Sequence, residues 1–167
     1  MNVLLTIIDA VSDYSGRLFA FLCLPIIAVI MVEVIGRYFF GRPFIWSHEM
    51  TTFLTAVLFL MGGAMVLKER SHICVDVVHR LLPVRIRALI NVIGSGFFFI
   101  YIVVLLHGGS GFALTAIRIA ETSGTPWNPP IYVVKVFIPL ATALLLLAGI
   151  ANLIRDFRVL LSGREET

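Results

Sequence analysis

The sequence predicts an all-α integral membrane protein: four transmembrane helices, with amphipathic interfacial helices at the N-terminus and in the second loop. Three observations carry this. Hydrophobic residues fill 59% of the 167 positions and charged residues only 14%, against the roughly 25% charged residues of soluble domains. Mean hydropathy is +1.00. Four apolar stretches, at about 18–40, 48–67, 88–112 and 130–154, each approach or exceed the ~20 residues a helix needs to cross about 30 Å of hydrocarbon. Helices are required there, because every backbone N–H and C=O must be satisfied within an open-ended segment. Residues 1–167 therefore read as a single four-helix membrane domain.

The cations fix an expected orientation. A cytoplasmic N-terminus places Arg17, Lys68, Arg70, Arg80, Arg85, Arg87, Arg155, Arg158 and Arg164 inside, and Arg37, Arg42, Arg118 and Lys135 outside. Nine against four fits the positive-inside bias, so both termini are expected in the cytoplasm. The net charge of +3 does not point to nucleic acid, since the basic residues gather at span ends, where membrane lipids are the expected partners. The first fifteen residues hold Asp9 and Asp13 but no Lys or Arg, and so lack the basic region of a signal peptide. Cys23 falls in the first span and Cys74 in the second loop, which argues against a disulfide or a shared metal.

The elements follow in order. In residues 1–17, Leu4, Ile7, Ile8, Val11 and Tyr14 recur at helical spacing and continue to Leu18, the pattern of a helix lying along the interface. Span one holds ten Leu, Ile, Phe or Val between Leu18 and Val32, worth roughly 4 kcal/mol of insertion against about 3 for one central acid. It can carry Glu33. Span two opens at Ser47, an expected N-cap, with Glu49 where the helix dipole favours an anion. The second loop, "KERSHICVDVVHRLLPVRIRA", mixes apolar residues with cations, as expected of a second interfacial helix before Pro83 opens span three. Span three carries Gly94, Ser95, Gly96 and "HGGSG", small residues that admit a neighbouring helix. Asn128 and Pro129 are the expected cap and first turn of span four, and residues 155–167 form a cytoplasmic tail.

The densest chemistry lies in "EVIGRYFFGRPFIWSHEM". Glu33 and Arg37 are i,i+4 neighbours in the favourable orientation for an ion pair. One reading makes this pair, with Tyr38, Phe39, Phe40, Phe44 and Trp46, an aromatic and snorkelling belt that fixes helix depth. The other turns Glu33, Arg37 and Glu49 toward another membrane protein, because intramembrane charges generally face protein rather than lipid. Gly41, Arg42 and Pro43 supply turn chemistry for a fixed hairpin.

With "FLMGGAMVLKERSHICVDVV" and the four-span frame, this stretch resembles the small permease subunit, DctQ-like, of tripartite ATP-independent periplasmic (TRAP) transporters. The positions that match the family's pattern are Glu33, Arg37, Tyr38, Pro43, Trp46 and Glu49, then Arg70, His72 and Asp76; His48 departs from it, standing where the family often has a second acid. The resemblance implies a multi-pass protein of the bacterial inner membrane that scaffolds a large permease subunit. It also implies a periplasmic solute-binding protein as partner, and sodium-driven uptake of an organic acid through sites in the large subunit.

Other readings are weaker on the residues. A substrate carrier is expected to place polar side chains and broken helices at the midplane, and the spans offer only Asn91, a few Ser/Thr and His107, with Pro25 and Pro139 as kinks. A haem- or quinone-binding anchor of a respiratory complex is the alternative, but bis-histidine haem needs two imidazoles at membrane depth, and only His107 lies in a span. A proton-coupled exporter needs a carboxylate free to titrate, whereas Glu33 has a cation one turn away. His72 and His79 lack a third ligand at metal spacing. No catalytic set is present, so a non-enzyme without cofactor, metal or substrate site of its own is expected.

Overall fold

The computed structural model describes residues 2–68 and 84–162. The interfacial helix expected in the second loop, with Arg70, His72 and Asp76, lies outside them. Five helices are seen among the described residues: α1 (Asn2–Ala20), α2 (Cys23–Phe39), α3 (Ser47–Lys68), α4 (Val84–Arg118) and α5 (Tyr132–Ser162). Four stretches are long and apolar enough to cross a membrane: Leu5–Phe39, Ser47–Leu67, Leu89–Arg118 and Tyr132–Leu160. The protein is an all-α, multi-pass membrane protein.

Pro25 separates α1 from α2. It has no N–H to offer the Phe21 carbonyl, which instead accepts from Leu24 at 3.1 Å, while Leu22 N–H bonds Phe19 at 2.9 Å. This tight turn is the usual answer to a proline one turn into a helix. Helical pairing resumes with Ile26 N–H on the Leu22 carbonyl at 3.1 Å. Pro139 makes no such break, and α5 continues through it.

The long helices form a row, α2 on α3, α3 on α5 and α5 on α4, and α1 lies against both α3 and α5. Leu5 and Ile8 pack on Ala151. Further along, Phe19 meets Phe137 edge-on, with ring centroids 6.0 Å apart, and joins Leu22 beside Val57, Met61 and Ala141. These contacts set α1 antiparallel to α5 over fourteen positions on each, roughly 21 Å at helical rise. The segment expected along the interface is thus held against two long helices. Its Leu5, Ile8, Ser12, Ser15 and Gly16 face them, while Ile7, Val11, Tyr14 and Leu18 of the apolar stripe are exposed.

Small residues make the close approaches, as in membrane helix packing generally. Ala64, Ala116, Ala141, Ala148 and Ala151 are almost fully buried. A Cβ on Gly16 would overlap Met65 of α3, and one on Gly149 would overlap the Phe98 ring of α4. Van der Waals contact has to supply much of the association here, since lipid is as apolar as the side chains.

A polar clamp ties the end that carries both termini. Arg155 of α5 donates to Asp9 of α1 at 2.5 Å and to Asn152 at 3.0 Å, and Asn152 donates to the Leu67 carbonyl at the end of α3 at 2.8 Å. One short network therefore joins three helices.

The last two spans differ from expectation at both ends: α4 already begins at Val84, and α5 continues to Ser162, eight residues past the expected end and into the segment expected as a tail. α4 runs to Arg118, six residues past the expected end, because the apolar sequence continues to Ile117 and the chain turns only at Ala120, φ 47°. α5 starts at Tyr132 because Pro130 is engaged in an antiparallel bridge with Thr122.

Gly16→Leu should pry α1 from α3 and lower the unfolding temperature of the detergent-solubilised protein. Adding Met65→Ala to that variant, which vacates the overlapped volume, should recover part of the loss.

Candidate functional site

The hairpin between α2 and α3 closes on one carboxylate. Glu33 sits on α2, and its Oε1 accepts from Arg37 Nη2 at 2.6 Å and Nε at 3.2 Å, so the expected i,i+4 pair is present. Its Oε2 accepts from the Phe44 backbone N–H at 3.0 Å and lies 2.7 Å from Ser47 Oγ. Ser47 Oγ is also 2.8 Å from the Phe44 carbonyl. A hydroxyl has one proton, and a charged carboxylate is the stronger acceptor. Both Glu33 oxygens are thereby engaged across the turn.

Backbone geometry shapes the turn around that carboxylate. The Gly36 carbonyl accepts from Phe40 at 3.3 Å and from Arg42 at 3.1 Å, and the chain reverses through Gly41 at φ 61°, the left-handed conformation common just past a helix end. Gly36 itself is buried beneath Phe44, and a Cβ there would overlap the ring. Phe44 and Trp46 stack at a tilt, 5.9 Å between centroids. Ser47 was expected to cap α3; its hydroxyl instead bridges to Glu33, and Met50 N–H starts the ladder on the Trp46 carbonyl at 3.0 Å.

The predicted residues do not converge on one point. Glu33, Arg37 and Ser47 meet, whereas Tyr38 and Pro43 are exposed. Glu49 turns the other way, where its carboxylate accepts from Ser123 Oγ at 3.3 Å in the 119–131 connection. That connection is tightly folded. Asn128, expected as a helix cap, sits at φ 51° and accepts the Gly124 N–H through its side chain at 3.0 Å, while Ser123 N–H bonds Pro129 and Ile131 N–H bonds Glu121.

Sequence reasoning missed the ion pair that anchors this connection. Lys135 of α5 lies 2.5 Å from Glu121 and 3.9 Å from the centroid of the Phe112 ring, with 13% of its side chain exposed. A lone lysine at the start of a span was the available signal, since a charge at that depth demands a partner. Asp9 and Arg155 carried the same signal at the opposite end.

Chemically, this is an arrangement of fasteners. Among the described residues no three His, Cys, Asp or Glu gather where they could hold a metal, and His48 and His107 are both exposed, on α3 and α4. Three clefts along α3 are apolar in lining or open along its flank.

Residues 26–159 match the family described as tripartite ATP-independent periplasmic transporters, DctQ component. The chain belongs to this family. Among curated DctQ-related proteins it is similar to the C4-dicarboxylate TRAP transporter small permease protein DctQ of Vibrio cholerae, 29% identical over 100 residues that make up 60% of this chain and 42% of that protein. It is also similar to the sialic acid TRAP transporter permease protein SiaT of Haemophilus influenzae, 25% identical over 95 residues, 57% of this chain and 15% of that protein. The chain thus spans less than half the length of these relatives. The DctQ-family segment contains the whole hairpin, the 119–131 connection and Arg155, and leaves all of α1 outside.

Glu33→Ala should free the Phe44 amide and Ser47, so hydrogen exchange at Phe44 should accelerate while Ala113–Ala116 in α4 keep wild-type rates. Exchange that rises equally at both places would mean global destabilisation rather than an opened turn.

Proposed function

We propose that this chain is the small membrane subunit of a TRAP-type secondary transporter, bracing a large permease subunit in the bacterial inner membrane. The observation that carries the reading is that both oxygens of Glu33 are occupied inside the hairpin. On a DctQ-family frame, such a hairpin serves as a stiff wedge between two spans. A carboxylate with its acceptors filled holds shape; it does not bind and release a solute.

In this reading both termini are cytoplasmic, in keeping with nine cations against four, and the hairpin faces the periplasm. Arg37, Tyr38, Pro43, Trp46 and Glu49 form the outer interface with the large subunit, with Arg70, His72 and Asp76 as the corresponding motif in the second loop. A periplasmic solute-binding protein delivers an organic acid, and a sodium gradient drives its uptake through the large subunit. The relatives' names, which cite C4-dicarboxylate and sialic acid, support an organic acid as the cargo class. The brace is needed because a moving transport element works only against something fixed in the bilayer, and helices with interfacial aromatics hold their depth.

Co-expression with a large TRAP permease subunit from the same genome, followed by affinity purification and proteoliposome uptake with a binding protein under an inward sodium gradient, tests the whole reading. Arg37→Ala and Glu49→Ala should reduce recovery of the large subunit or the uptake rate and leave the order of preferred solutes unchanged. A changed solute preference would place selectivity in this chain and overturn the proposal.

A further inference from the structure

The face of the hairpin that carries Arg37 holds a cleft of about 300 Å³ between α2 and α3. Its walls change character along the helix. Ile30 and Val34 line one part, and Arg37, Tyr38 and His48 line the other, with Glu33, both of its oxygens already engaged, between them, a step from apolar to polar over roughly 10 Å of helical rise from Ile30 to Arg37. Arg37 uses Nη2 and Nε on Glu33, yet its side chain stays 60% exposed. A guanidinium has five N–H groups, so this one is oriented by Glu33 and keeps donors for a ligand. Ser47 and Thr51 also line the cleft, but their hydroxyls are held by Glu33 or Phe44 and by the Ser47 carbonyl.

We propose that this cleft binds a phospholipid, with the phosphodiester against Arg37, His48 and Tyr38 and an acyl chain along Ile30 and Val34. Two features select a lipid over a protein segment. The apolar wall continues without interruption into the exposed flank Ile27, Ile30, Val34 of α2, the surface that a membrane-spanning helix presents to acyl chains. The donors stand in the last turn of α2 and the first turn of α3, the depth of headgroup phosphates for a helix that spans the hydrocarbon. An oriented guanidinium matches phosphate oxygens in geometry as well as charge. The inference requires only that α2 and α3 span a membrane and does not depend on the transporter reading, in which a lipid held at Arg37 and Tyr38 would stand between them and the large subunit.

Native mass spectrometry of the full chain released from mild detergent tests it. The probes are palmitoyl-oleoyl phosphatidylglycerol, diacylglycerol of the same chains, and inorganic phosphate. The expected result is one retained phosphatidylglycerol per chain, with neither other probe retained. His48→Ala, which removes a donor, and Val34→Trp, which fills the apolar part, should each cut retention roughly fivefold or more, the equivalent of about 1 kcal/mol. Val104→Trp on the exposed face of α4 should bind as wild type, and circular dichroism should show equal helix content in all three variants. Equal retention of diacylglycerol would reduce the cleft to an apolar surface, and equal retention of inorganic phosphate would make it an ion site. Wild-type binding by both cleft variants would place the lipid elsewhere. Efficient crosslinking of a photoreactive residue at position 34 to the large subunit, with no lipid co-purifying, would make the cleft a protein contact. Any of these four results overturns the proposal.

Discussion

Hydrocarbon offers no hydrogen-bond partners, and that constraint arranges everything else in the molecule. Backbone groups must pair within their own helix, so the spans are helical apart from the turn ahead of Pro25, and their closest approaches are built on alanine and glycine. Side-chain chemistry is driven to the two ends. At one, Glu33 gathers the α2–α3 turn and Lys135 with Glu121 anchors the 119–131 connection. At the other, Arg155 links α1 to Asn152 and so to the end of α3. The middle of the protein is held by shape, its ends by charge.

This division explains which parts could be read from the residues. Span number and approximate extent follow from hydropathy, because insertion depends on length and composition alone. The Glu33–Arg37 pair follows from i,i+4 spacing, a local property of any helix. Contacts that require the chain to return on itself were not legible. Ser47 looked like a helix cap because its alternative partner lies fourteen positions back, and Asn128 looked like one because nothing local reveals a left-handed backbone. The amphipathic stripe of residues 1–17 was visible, but an apolar stripe facing lipid has the same period whether the helix lies flat or stands beside α3 and α5.

The row of helices bears on the bracing role proposed for this chain. α2 and α4 stand at the flanks, each packed chiefly against one neighbour, and both present long exposed apolar faces. A row with two free sides covers more membrane area than a compact bundle of the same helices. It can also take lipid or protein along either edge without rearranging its interior. The rigid turn at Glu33 keeps α2 from swinging, and the Glu49–Ser123 contact keeps α3 in register with the connection ahead of α5.

Asp9 and Arg155 are separated by 146 positions, and this distance governs the order of biosynthesis. While the ribosome is still producing the first three long helices, the aspartate has no arginine to meet and α1 has no α5 to lie against. The N-terminal segment can already lie on α3, but the latch to Arg155 closes only when the last helix arrives. Closure of that end of the molecule is therefore a late, post-insertion event.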